Sequence, residues 1–184
     1  MRVRTPQTAA VIIDVQERLY PHMSGAQTLA DRIVLLIRGL HLLEVPLLVT
    51  QQYSRGLGAT VPAVAQALRE AGVVSDPVEK VCFSCMDSDQ FRRRLTEMDR
   101  RQVILAGVEA HVCVAQTAMD LLASGLTPVL VEDCVSSRRE LDKTVALRRL
   151  ADAGAVVTTA EALLFELCEK AGTDTFRALS RLVK

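Results

Sequence analysis

Along the chain, short unbroken apolar runs alternate with longer stretches in which apolar residues recur every three or four positions. The first run, residues 8–13, ends abruptly at Asp14 and predicts a strand buried on both faces. Residues 29–43 then carry Ile33, Leu36, Ile37 and Leu40 at helical spacing, and Pro46 precedes a second strand at 47–50. Residues 51–60, with Gly56 and Gly58, read as a loop. Residues 61–70 read as a short helix whose Pro62 suits a first-turn position. The stretch 73–81 predicts a short irregular strand interrupted at Pro77, with Lys80 near its exit, and 88–98 a charged helix capped by Ser88.

The most informative stretch is 102–123. Residues 103–106 form an apolar run, Gly107 breaks it, and from about Ala110 the spacing turns helical. Val114, Ala118, Leu121 and Leu122 fall on or near one face of that helix. The joint predicts a tight strand-to-helix turn with Cys113 about one turn in. Free backbone N–H groups and the positive end of the helix dipole meet there, favouring a thiolate and able to hold an oxyanion. A buried cysteine packing as a small hydrophobe fits the same pattern. Residues 127–131 predict a fifth strand ending at Glu132-Asp133. Residues 138–153 predict a basic amphipathic helix over a stripe of Leu141, Val145, Leu147 and Leu150. Gly154 stops it, 155–158 predict a sixth strand, and 160–171 and 174–182 two closing helices. Such alternation is the signature of a parallel sheet covered by helices on both faces, in one α/β domain over residues 1–184.

Composition narrows the function classes. With 184 residues the chain can bury a sizeable core. A net charge of zero and 49% hydrophobic residues indicate neither disorder nor a nucleic-acid footprint, and 3% aromatics argue against base-stacking platforms. No apolar run approaches a membrane span. The five cysteines are odd in number and scattered, which fits reduced thiols in a cytoplasmic protein better than a disulfide framework.

Asp14, Lys80 and Cys113 come from three separate βα units, each at or just past a strand's C-terminal end, where ligand sites gather in open α/β sheets. A thiol must lose its proton to attack, and a carboxylate in reach can take it. A neighbouring lysine keeps the carboxylate ionised and stabilises negative charge in the transition state. Singly, Asp14 reads equally as a helix cap and Lys80 as a surface lysine with a buried stem. Periodicity alone does not select this trio from 22 acids and 22 bases.

Several segments in order resemble the isochorismatase-like cysteine hydrolases over essentially the whole chain. Ile13-Asp14-Val15-Gln16 resembles the opening motif with its acid, and Glu79-Lys80-Val81-Cys82-Phe83-Ser84 the segment carrying the lysine. Gly107-Val108-Glu109-Ala110-His111-Val112-Cys113-Val114 resembles the nucleophile turn. Thr50-Gln51-Gln52-Tyr53, Asp133-Cys134-Val135-Ser136-Ser137-Arg138 and Gly154-Ala155-Val156-Val157-Thr158-Thr159 are similar to the isochorismatase domain-containing branch. The resemblance implies a three-layer α-β-α Rossmann-like fold whose six-stranded parallel sheet has the order 3-2-1-4-5-6. It implies Asp14, Lys80 and Cys113 as catalytic residues and a cis peptide at Val108–Glu109. The N–H groups of Glu109 and Cys113, on either side of that turn, are then the candidates for an oxyanion hole. The resemblance also implies a homo-oligomer, for which residues 162–167 and the helix after Cys113 are candidate interfaces. Gln16, Tyr53 and Phe83 are candidates for contact with a small-molecule substrate.

Nicotinamidases of this superfamily carry an aspartate and histidines after the second strand to bind a metal. Residues 51–60 contain no Asp, Glu or His, so neither a metal nor another cofactor is expected. A thiol nucleophile favours acyl transfer from an amide or related acyl substrate. The Cys82/Cys85 pair with His111 and Cys113 raises zinc or redox readings, but the spacing fits neither a zinc site nor a thioredoxin-like context. A non-catalytic binding or scaffold protein that keeps the fold is the remaining alternative. His22 and His41 read as non-catalytic, and His111 as turn-forming or interfacial.

Overall fold

The computed structural model describes residues 1–73 and 76–184. Six strands, β1 (Thr8–Ile13), β2 (Leu47–Gln52), β3 (Val78–Lys80), β4 (Gln102–Val108), β5 (Thr127–Ser136) and β6 (Val156–Thr158), form one sheet in the order β3-β2-β1-β4-β5-β6. Every neighbouring pair is parallel, so each connection crosses over the sheet. The helices are α1 (Ala26–Leu42), α2 (Ser54–Leu57), α3 (Pro62–Glu70), α4 (Asp89–Glu97), α5 (Ala115–Ala123), α6 (Glu140–Asp152), α7 (Ala160–Cys168) and α8 (Asp174–Leu182). This is the three-layer arrangement and strand order that the sequence implies.

Alternation along the strands divides the core in two. Ala10 and Ile12 of β1 face the layer of α1, α3, α7 and α8, whereas Ala9, Val11 and Ile13 face α4, α5 and α6. Both faces are apolar because both are covered, which is why the sequence reads as unbroken runs.

The differences from the sequence reading lie mostly at element ends. Gly107 does not break the fourth strand but lies within it, paired with Ile13 of β1 at a φ of 118°. A Cβ at this position would lie 2.1 Å from the Ile13 carbonyl oxygen, so only glycine allows the two backbones to approach so closely. Strand β5 continues past Glu132-Asp133 to Ser136, and its register against β4 shifts between Leu105 and Gly107. The supposed loop 51–60 contains the last residues of β2 and the single turn α2. Of the irregular strand expected over 73–81, only Val78–Lys80 is strand, and residues 74 and 75 lie outside the described residues.

Two apolar assignments are corrected. Leu141 and Val145 are exposed, and α6 packs instead through Ala146, Leu147 and Leu150. Helix α7 ends at Cys168, and its Leu163, Leu164 and Leu167 are buried inside the chain. Residues 162–167 are therefore largely spent on this chain's own core, with Leu164 packed over Gly39 of α1.

Candidate active site

The close approach of β1 and β4 at Ile13 and Gly107 brings the exits of both strands together, and the site is built there. Asp14 leaves β1 in the left-handed region, at a φ of 53°, which aspartate tolerates better than most residues. Its side chain is fully buried and has two partners. Thr50 at the end of β2 donates its hydroxyl to Oδ1 at 2.7 Å, and Lys80 at the end of β3 donates Nζ to Oδ2 at 2.6 Å.

The Lys80 ammonium makes further bonds to Gln52 Oε1 at 2.8 Å and to the carbonyls of Cys82 and Phe83 at 3.3 Å. Neither side chain of the ion pair is exposed to solvent. Burial pulls the ammonium's pKa down, but Asp14's charge, with smaller help from Cys85 and Cys113, outweighs it and holds Lys80 above the usual lysine value. Such a pair is kept for chemistry or specificity more readily than for stability, because desolvation consumes most of its Coulomb energy.

Cys113 stands on a π-helical turn, Ala110–Val114, that leads into α5, rather than on a regular helix. The Glu109 carbonyl accepts from both Val112 and Val114 N–H, which winds this turn wide. The peptide bond between Val108 and Glu109 is cis. The Cys113 side chain is almost entirely buried and lies near enough to Asp14 and Lys80 to feel both charges. Burial first, then Asp14's charge, push the thiol far above the ordinary range despite the lowering effect of Lys80. The lowering expected from a helix start is opposed here by burial and by Asp14, which act to keep the thiol protonated.

A second thiol adjoins the first. Cys85 is fully buried; its backbone N–H bonds Thr117 Oγ1 at 2.9 Å, and its thiol is held by Thr117 and Thr50. Burial and Asp14 raise it to about 11, against the lowering effect of Lys80. Of the groups around this cluster, Thr117 was missed by the sequence reading, Thr50 and Gln52 stood out only within a segment of family resemblance, and Cys85 only as half of the Cys82/Cys85 pair. Besides that resemblance, Thr50 and Gln52 had one signal, their place at the end of β2, beside the exit of β1.

The three softer candidates separate. Gln16 is fully buried, and its carboxamide bonds the Gln52 carbonyl and N–H and the Gly58 carbonyl, so it ties the 51–60 segment to β1 rather than lining a cavity. Tyr53 and Phe83 are each about half exposed and flank Lys80: the Tyr53 N–H donates to the Lys80 carbonyl, and the Phe83 carbonyl accepts from Lys80 Nζ. Val81, next to Lys80 in the chain, is exposed as well. His111 Nδ1 lies 2.9 Å from Ser137 Oγ, whereas His22 and His41 are exposed and outside the site.

This geometry can be set beside known proteins. Residues 8–162 match the family model described as "Isochorismatase domain". The mouse isochorismatase domain-containing protein 2A is 34% identical over 188 residues, covering all of this chain and 85% of its own length. The solved structure of the MAR1 ribonuclease from Caenorhabditis elegans superposes with a TM-score of 0.89 at 32% identity, covering 100% of this chain and 92% of its own. An Escherichia coli protein described as an octameric hydrolase of unknown specificity has a TM-score of 0.90 at 20% identity, covering 99% and 90% of the two chains.

Proposed function

From the premise that this chain belongs to the isochorismatase family, a family of hydrolase-like proteins, we propose that it is a cysteine hydrolase that cleaves a small amide or related acyl substrate. The observation that carries this reading is the convergence of a buried thiol, a buried carboxylate and a buried ammonium from three separate strand exits.

In the proposed reaction Cys113 Sγ attacks the substrate carbonyl while its proton passes to Asp14. A thiol held above its normal pKa is a poor free nucleophile, so attack must be coupled to this transfer. Lys80 stays charged throughout and offsets the negative charge that develops. The N–H groups of Glu109 and Cys113 are assigned to the oxyanion; its collapse breaks the substrate's C–N or C–O bond, and Asp14 hands its proton to the departing amine or alcohol. Water, giving a proton to Asp14, then attacks the thioester, and the acid leaves as Cys113 regains its proton. Metal and cofactor have no role in this scheme, since the chain's own groups supply nucleophile, base and charge.

The almost complete burial of Cys113 favours a small substrate. No described helix is long and apolar enough to cross a membrane. The five free thiols support a reducing, cytoplasmic setting. Homo-oligomerisation belongs to the same proposal, supported by the exposed apolar side chains of Tyr53, Val81 and Phe83.

The test is a panel of small amides and esters, with an RNA oligonucleotide added because the C. elegans relative is described as a ribonuclease. We expect turnover of an amide or ester that disappears in Cys113→Ala. Cleavage of RNA alone, or turnover that survives Cys113→Ala, would overturn the proposal.

A further inference from the structure

Two consecutive residues at the exit of β5 are fastened to the turn that carries Cys113. Glu109, the first residue after β4, is buried, with its side chain only 8% exposed. Its Oε2 accepts from the Arg138 backbone N–H at 3.1 Å and from Arg138 Nε at 3.0 Å. Next to this link, His111 Nδ1 pairs with Ser137 Oγ. The β5 exit is anchored in turn to the segment before α1: Ser24 N–H donates to the Ser137 carbonyl at 2.9 Å, and Ser136 Oγ donates to the Ser24 carbonyl at 2.7 Å.

A glutamate carboxylate is costly to bury, and stability is a weak reason for this one. The Arg138 side chain is 62% exposed, so water screens the pair and its net contribution is modest. What the pair does is geometric. It grips the residue whose own backbone N–H is assigned to the oxyanion, with two bonds to a single carboxylate oxygen, one of them from the main chain. Two bonds from one residue to the same oxygen fix the direction of the Glu109 side chain and so restrict the turn.

We propose that Arg138 is a positioning residue for the Cys113 reaction, holding Glu109 so that its N–H points at the developing oxyanion. This rests on the catalytic reading above and adds a residue that touches neither substrate nor nucleophile. The Arg138 main-chain bond survives substitution, so Arg138→Ala loosens the carboxylate without freeing it. Glu109→Ala removes both bonds.

An oxyanion forms when a thiol is acylated but not when it is alkylated, and this separates positioning from general damage to the fold. The nitrophenolate burst from p-nitrophenyl acetate reports acylation of Cys113, and the rate of its modification by iodoacetamide, read by peptide mass, reports alkylation. Loss of a whole oxyanion donor costs about 100- to 1,000-fold, so misaiming one in Arg138→Ala is expected to slow the burst about tenfold or more. Alkylation should stay at the wild-type rate, Arg138→Lys should recover part of the burst, and Glu109→Ala should lose more than Arg138→Ala. In parallel, amide hydrogen exchange over residues 109–113 should quicken in Arg138→Ala. An Arg138→Ala burst at the wild-type rate, or equal losses in burst and alkylation, would overturn the assignment. A wild type without any Cys113-dependent burst would instead sink the catalytic reading, with the exchange measurement still reporting on the Glu109 link.

Discussion

At the scale of single residues, the decisive contest is over the proton of Cys113. A helix start alone lowers a thiol pKa, but burial and a facing carboxylate raise it, and here they win. Iodoacetamide should therefore label the half-buried Cys82 and Cys168 before Cys113 at neutral pH, with Cys113 labelling climbing as the solution becomes alkaline. Peptide mapping over a pH series checks this; fastest labelling of Cys113 at neutral pH would contradict it. The lysine gives a second prediction. Lys80→Met leaves the Asp14 carboxylate buried opposite an apolar chain, at a cost of about 3–5 kcal/mol. Urea titration should show that loss, and a change below about 1 kcal/mol would mean that Asp14 is not held as described.

Elements were easier to read than their ends. The runs that became β1 and β4 stand out because both faces of the sheet are covered. Gly107 looked like a breaker because a sequence does not show which backbone will lie against it, and that backbone is Ile13. Gly107→Ala would drive a Cβ into the Ile13 carbonyl at a positive φ, so a loss of about 4 kcal/mol or more, or failure to fold, is expected. Thermal unfolding measures it, and a near-wild-type melting temperature would refute the close approach. Leu141 and Val145 misled for a related reason: helical spacing marks a stripe, but only the neighbouring elements decide which side of it is covered. Of the candidate site, Asp14, Lys80 and Cys113 were legible as strand-end residues and were singled out by resemblance. The contacts that Thr50, Gln52 and Cys85 make with that trio were not, because contacts between the ends of different strands leave no periodic trace.

For the whole molecule, the raised thiols and the raised lysine predict how stability responds to pH. A group whose folded pKa lies above its unfolded value stabilises fully below the unfolded value, and that contribution is lost as pH climbs through the folded one. Cys85, Cys113 and Cys134 all lie above the reference value of 9.0, and Lys80 above 10.5. The urea midpoint should thus fall steadily as pH rises past 9.0, with Lys80 adding to the decline beyond 10.5. A midpoint constant from neutrality to pH 10.5 would contradict the burial of these groups. The sheet order follows from the family resemblance, and the crossover rule makes it consistent with helices on both faces.

The most direct measurement of the central claim is the location of a trapped acyl group. The protein is mixed with p-nitrophenyl acetate, quenched in acid within the burst, digested and mapped by mass. One acetyl group is expected on Cys113, much reduced in Asp14→Asn because the base is gone. Acetylation spread over Cys82 and Cys168 while Cys113 stays bare, or acetylation of Cys113 at an unchanged rate in Asp14→Asn, would contradict it.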